Sequence, residues 1–173
     1  MRRDAVKRPF GLVASASLVL TLILTLTLSG CGFQLRGQAA LPFSTAFVRA
    51  PETSNVGNAL RRTLSSQQKL AASQDGASIR IALENESYQK NILALSGGGK
   101  VREYRLEYTI QLSVFDAGGK ALVESSEIHL SNDFSYSDDQ ILAKEAEEAS
   151  LNRAMEQDAL RQILRRLSYL KTE

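Results

Sequence analysis

The sequence is poor in the residues that build covalent or metal-held frameworks. Its 173 residues include one cysteine, Cys31, and one histidine, His129. A single thiol forms no internal disulfide, and no spacing of Cys and His fits a metal site. Proline is scarce, and only Pro42 and Pro51 interrupt the chain beyond residue 30. Internal repeats and low-complexity linkers are missing as well. A surplus of charge is also absent from most of the chain, although the formal net charge is +2. Of 21 basic and 19 acidic residues, four basic and one acidic lie within 1–30, which leaves 17 and 18 for 31–173. The basicity therefore belongs to the N-terminus, which argues against a nucleic-acid-binding domain, where positive charge persists in the folded part.

Catalytic signatures are equally sparse. His129 stands alone on an irregular strand segment. Ser125 and Ser126 lack a G-x-S-x-G setting, and no phosphate-binding loop occurs. The cluster Glu145, Glu147 and Glu148 reads as a wet helix face, and Tyr104 and Tyr108 read as core or interfacial residues. The residues point away from an enzyme.

What is present begins at the N-terminus. Arg2, Arg3, Lys7 and Arg8 precede an uncharged run from Phe10 to Ser29. A basic start, an apolar stretch and small residues at its end describe a secretory signal. About 20 apolar residues are also long enough to span a bilayer, and Cys31 decides between the two. Leu28-Ser29-Gly30-Cys31 resembles the lipobox of bacterial lipoproteins. The resemblance implies cleavage before Cys31, diacylglycerol on its sulfur and a third acyl chain on the new amino group. At roughly 0.8 kcal/mol per buried CH2, three chains anchor a protein durably where one holds weakly. Gly32 stands where an inner-membrane retention signal places Asp, so the expected destination is the outer membrane, periplasmic side. No other cofactor is expected. The expected organisation is a signal peptide over 1–30, a lipidated tether over 31–42 and one periplasmic domain over 43–173. The mature chain is long enough for one real core.

Within that domain, Phe43–Arg49 reads as a short strand, and Thr53, Ser54 and Asn55 offer caps for a helix over about 55–70 with Val56, Leu60, Leu64 and Leu70 on one stripe. From Ser78 a half-buried strand begins, with Ile79, Ile81 and Leu83 on one face, and continues through a bulge to about Leu95. Gly97–Gly99 form a flexible tip. Val101–Asp116 alternates without a break: Tyr104, Leu106, Tyr108, Ile110, Leu112 and Val114 against Glu103, Arg105, Glu107, Thr109, Gln111 and Ser113. A hairpin turn at 116–120 leads to a strand over 120–130. Ser137-Asp-Asp-Gln140 resembles a capping box opening a helix of about 33 residues, with Leu142, Ala146, Ala149, Met155, Leu160, Ile163, Leu164 and Leu167 as its apolar positions.

The order β-α-β-β-β-α predicts an α+β two-layer sandwich, with two helices packed on one face of a mixed four-stranded sheet. The second face remains hydrophilic. Contact with water is the default for such a face, and the polar interior of a membrane barrel is the alternative.

Cys31-Gly-Phe-Gln-Leu-Arg-Gly37 resembles the start of mature proteins of the LptE family of lipopolysaccharide-assembly lipoproteins. The likeness extends over nearly all of 31–170, through Glu103-Tyr104-Arg-Leu, Ile141-Leu-Ala-Lys144 and Gln162-Ile-Leu-Arg-Arg-Leu167. It implies a non-catalytic protein that plugs and stabilises the large outer-membrane β-barrel LptD, binds lipopolysaccharide and assists its assembly at the cell surface. Another outer-membrane lipoprotein, a periplasmic carrier of lipids or lipoproteins, is the competing expectation. Chain reversal at each hairpin brings the 96–100 tip and the start of the last helix to one end, where Lys100, Arg102 and Lys144 gather. Such cations can hold the phosphates of lipid A by charge-assisted hydrogen bonds. Lys144 matches a basic position of the family's last helix. Gly97–Gly99 depart from members with a basic residue at the tip, so Lys100 and Arg102 are inferred substitutes.

Overall fold

A computed structural model describes residues 40–171. The signal segment 1–30, Cys31 and most of the 31–42 tether lie outside the described residues. In chain order the elements are β1 (Ala46–Arg49), α1 (Asn55–Ser66), β2 (Ile79–Leu95), β3 (Val101–Asp116), β4 (Ala121–Ser135), a 3-10 turn (Asp138–Gln140) and α2 (Ile141–Ser168). The sheet runs β1-β2-β3-β4. β1 and β2 are parallel, connected through α1, and the remaining pairs are antiparallel. This is the expected mixed sheet with two helices.

The alternation in β3 sets the layers. Leu106, Tyr108, Ile110, Leu112 and Val114 are buried. They share a core with Ile79, Ile81 and Leu83 of β2, Leu60 and Leu64 of α1, and Met155, Ala159, Ile163 and Leu167 of α2. Burying each large aliphatic side chain contributes about 1.5–3 kcal/mol. Leu41 and Phe43 join this core ahead of β1, so packing begins within the last residues of the expected tether.

Ser54 caps α1: its Oγ accepts from the Gly57 N–H at 2.8 Å. The helix ends at Ser66 and not near residue 70. Gln68 takes φ 57°, and the Lys69 N–H reaches back to the Leu64 carbonyl at 2.8 Å, which closes the last turn. Leu70 therefore leaves the helical stripe. It forms a parallel bridge to Ala46 and covers the outer edge of β1.

β2 carries the expected bulge. Between Glu84 and Ser87 its register with β3 shifts by one residue, and Asn85 adopts φ 53°. Side chains then change parity: Tyr88, Lys90 and Ile92 take the helix-facing side, opposite Tyr108, Leu106 and Tyr104.

Further boundaries differ from expectation, and β1 starts at Ala46 and not at Phe43. β4 continues to Ser135, because Ser131–Ser135 pair with Glu103–Glu107 of β3. The capping box does not form either. Ser137 precedes the 3-10 turn with no side-chain cap bond, and α2 then runs 28 residues, about 42 Å.

The sheet-facing stripe of α2 also departs from the apolar positions expected at its start. Met155, Ala159, Ile163 and Leu167 form a four-residue ridge on the sheet. Continued toward the N-terminus, that ridge meets Leu151, Glu148 and Lys144, all partly buried, while Ala146 and Ala149 are exposed. Leu142 is 82% exposed. The first ten residues of α2 contribute no buried side chain.

Candidate functional site

Two surfaces follow from this framework: the open face of the sheet and the end where hairpin tip and α2 meet. The open face is a set of polar rows running across the strands. Asn85 donates to Gln111 at 2.7 Å, Ser87 and Thr109 share a hydrogen bond of 2.8 Å, and Asn91 donates to Glu107 at 2.7 Å. Arg105 holds Asp133 with two hydrogen bonds, from Nε at 2.7 Å and Nη2 at 2.9 Å. That pairing lowers the Asp133 pKa and raises that of Arg105, in both cases chiefly through the hydrogen bond. His129 lies in the same field, with Nε2 3.7 Å from Glu107. Nothing here resembles a nucleophile and base. The face is wet, ordered and satisfied largely within itself. At its other end Arg80 pairs with Phe47 and Phe115 on the flanking strands, and its Nη2 donates to the carbonyls of Asp116 and Ala117 at 3.1 and 3.3 Å.

At the tip end the fold gathers the expected cations unequally. Lys100 and Arg102 line a shallow cleft of about 230 Å³ with Tyr136 and Asp138. The Tyr136 N–H donates to the Arg102 carbonyl at 2.7 Å, which fixes the start of the 3-10 turn against β3. Lys100 is 3.5 Å from Asp138, both well exposed. Lys144 stands apart from this cleft. Its Nζ bonds Ser135 Oγ at 3.1 Å and Glu147 at 2.9 Å, and only 14% of its side chain is exposed.

The cation at this end with the most aromatic contacts is one the sequence did not single out. Lys90 Nζ sits 4.3 Å from the Tyr104 ring centre, 5.6 Å from Phe134 and 6.0 Å from Tyr136, and 2.5 Å from Glu148. Tyr104 and Tyr136 meet edge to face at 5.1 Å. A cation over aromatic faces gains about 0.5–2 kcal/mol. Lys90 thereby joins β2, the aromatic cluster of β3 and β4, and the exposed half of α2. Its helix-facing register beyond the bulge was the available signal, hidden by the parity change. Glu148, read as part of a wet face, is the partner that half of α2 supplies.

Beside this cluster, Tyr108 is fully buried, and its hydroxyl donates to Glu86 at 2.8 Å. Burial, then that bond, push its pKa well above the ordinary range. Tyr88 donates to Glu156 of α2 at 2.6 Å and is raised for the same reasons.

Residues 43–167 match the family model described as "LptE: Lipopolysaccharide-assembly". Among solved structures, an uncharacterized lipoprotein B from Nitrosomonas europaea superposes with TM-score 0.69 at 36% identity, over 79% of this chain and 90% of that one. The rare lipoprotein B from Shewanella oneidensis gives TM-score 0.61 at 22% identity, over 72% and 93% of the two chains. A minor lipoprotein from Acinetobacter baumannii gives 0.59 at 19%, over 75% and 93%. The last two likenesses bear on the fold alone. No curated protein matches the chain.

Proposed function

The chain belongs to the LptE family of lipopolysaccharide assembly, and from that premise we propose that it is a non-catalytic outer-membrane lipoprotein that plugs an LptD-type β-barrel. Lipid on Cys31 holds it at the periplasmic side of the membrane, and its domain supports the barrel while lipopolysaccharide passes to the surface. The observation that carries the reading is the division of the sheet. One face is sealed by helices, and the other is a hydrogen-bonded polar surface built from Asn85, Ser87, Asn91, Arg105, Thr109 and Asp133. Barrel interiors are polar, so such a face can dock there without stranding apolar side chains in water. The carrier reading requires an apolar cavity, and the inner sheet face is instead filled by side chains of both helices. Gentle solubilisation of the outer membrane and capture of the tagged chain test this: a large barrel protein comes with it, with an acylated Cys31. Recovery of a lipid-loaded chain and no barrel supports the carrier instead.

Within the same reading, lipid A phosphates meet the tip end. Arg102 has no carboxylate partner among the described residues, and the exposed pair of Lys100 with Asp138 is weak enough to exchange for phosphate. Lys144 must leave Glu147 to contribute. Lys100→Glu together with Lys144→Glu weakens lipopolysaccharide binding while the domain stays folded. Unchanged binding by the folded double variant removes this site.

A further inference from the structure

The outer stretch of β2 presents an unused strand edge. β1 pairs only with Ile79–Ala82, and the chain then departs at Ala50 and Pro51. Beyond the bulge, among the described residues, β2 is paired with β3 on one side and with no strand on the other. The helices pack on β1, β3 and β4 and reach this stretch through Glu148 and Glu156.

The chemistry of that edge can be assigned residue by residue. In a strand, a residue's face fixes the side to which its N–H and C=O point. Ile79 faces the core, and its N–H points to the β1 side, donating to the Thr45 carbonyl at 3.2 Å. After the bulge the residues facing the helices are Tyr88, Lys90 and Ile92. Their amides and carbonyls therefore point to the open edge, while those of Ser87, Gln89 and Asn91 belong to the ladder with β3. Apolar side chains accompany these free groups: Ile92 and Leu95 are each 58% exposed and Leu93 is 41% exposed. An exposed edge of this length is a template for another strand.

We propose that the edge Glu86–Leu95 takes up an extended segment of a different polypeptide as an added strand. A second copy fits poorly. The symmetric register that would use all three donors sets Lys90 opposite its own counterpart, and like charges directly opposite are destabilising. The guest alternates, with apolar side chains over Tyr88 and Ile92 on the helix side. The source of the guest rests on the function proposed above, a segment of the barrel companion that enters its lumen.

The test uses the tagged full chain recovered from outer membranes with whatever accompanies it, beside the same chain alone in detergent. Hydrogen exchange over 86–95 is read in both, and the companion is identified by mass. The proposal expects exchange in this stretch to slow by at least about tenfold in the complex. Slowing with a barrel present supports both this inference and the proposed function. Slowing with another companion keeps the edge and defeats the barrel. Equal exchange in the complex and the free chain, a homodimer, or recovery without any companion overturns the edge. A second variant separates binding from folding. Ile92→Pro removes one outward donor at a position where edge strands tolerate proline, so it should keep its fold and retain the companion about tenfold less. Asn91→Pro removes a ladder bond to β3 and should unfold this half of the sheet. A folded Ile92→Pro chain that retains its companion fully overturns the proposal.

Discussion

Replacing Lys90 by methionine isolates what holds the exposed half of α2. Methionine keeps most of the stem and deletes the ammonium that lies over three rings and against Glu148. The ring term is about 0.5–2 kcal/mol for a site between exposed and desolvated. The ion pair adds about 0.2–1 kcal/mol, since 36% of the Lys90 side chain and 24% of Glu148 remain in water. The expected loss is about 1–2 kcal/mol, a fall in Tm of about 4–8 °C for a domain of this size. A cycle with Glu148→Gln should return a coupling of about 0.5–1 kcal/mol. The decisive readout is local. Residues 141–150 bury no side chain in the core, whereas Met155, Ala159, Ile163 and Leu167 do. Hydrogen exchange should therefore accelerate in the first ten residues of α2 and stay unchanged around Ala159. Unaltered exchange over 141–150 in the methionine variant refutes the assignment of Lys90 as the tether.

Other outcomes follow from single observations. Gly57→Ala should destabilise the domain by about 1–3 kcal/mol in a denaturant titration, against the usual gain for Gly→Ala in a helix. An added Cβ lies 2.6 Å from Ala50 Cβ and 2.9 Å from the capping Ser54 Oγ. Burial and Glu86 raise the Tyr108 pKa, so its contribution is complete below the unfolded value near 10 and is lost as pH climbs beyond it. Tyr108→Phe should flatten the alkaline decline of the unfolding midpoint, and an unchanged slope counts against this. The Asp133 carboxyl is held below its ordinary value by Arg105. Its contribution is present above about pH 4 and fades as pH falls through the folded pKa, so Asp133→Asn should make the acid limb of the stability profile shallower.

The legible parts of this fold were those fixed by local chemistry. In β3 every inward position from Tyr104 to Val114 is apolar and every intervening one polar, so strand, face and open surface follow together. Ser54 could be read as a cap because a hydroxyl before an apolar stripe satisfies a free amide. The shared location of the tip and the start of α2 followed from hairpin reversal alone. The illegible parts depended on partners distant in sequence. Ser131–Ser135 is rich in turn formers, yet it is strand because β3 continues beside it and Arg105 grips Asp133. At the start of α2 the local apolar pattern pointed to Leu142, Ala146 and Ala149. The ridge running back from Leu167 instead turns Lys144 and Glu148 inward, where Ser135 and Lys90 meet them. The caged Lys90 was hidden for the same reason, because the bulge at 84–87 reverses the parity that would have placed it.

The open sheet face carries the functional account, and it can be probed directly in cells. Photo-crosslinking side chains placed at Gln89 and His129, both exposed on that face, should couple the chain to inward-facing residues of the barrel strands. Efficient capture of the barrel from other positions, with none from these two, would contradict a lumen docked on the polar sheet.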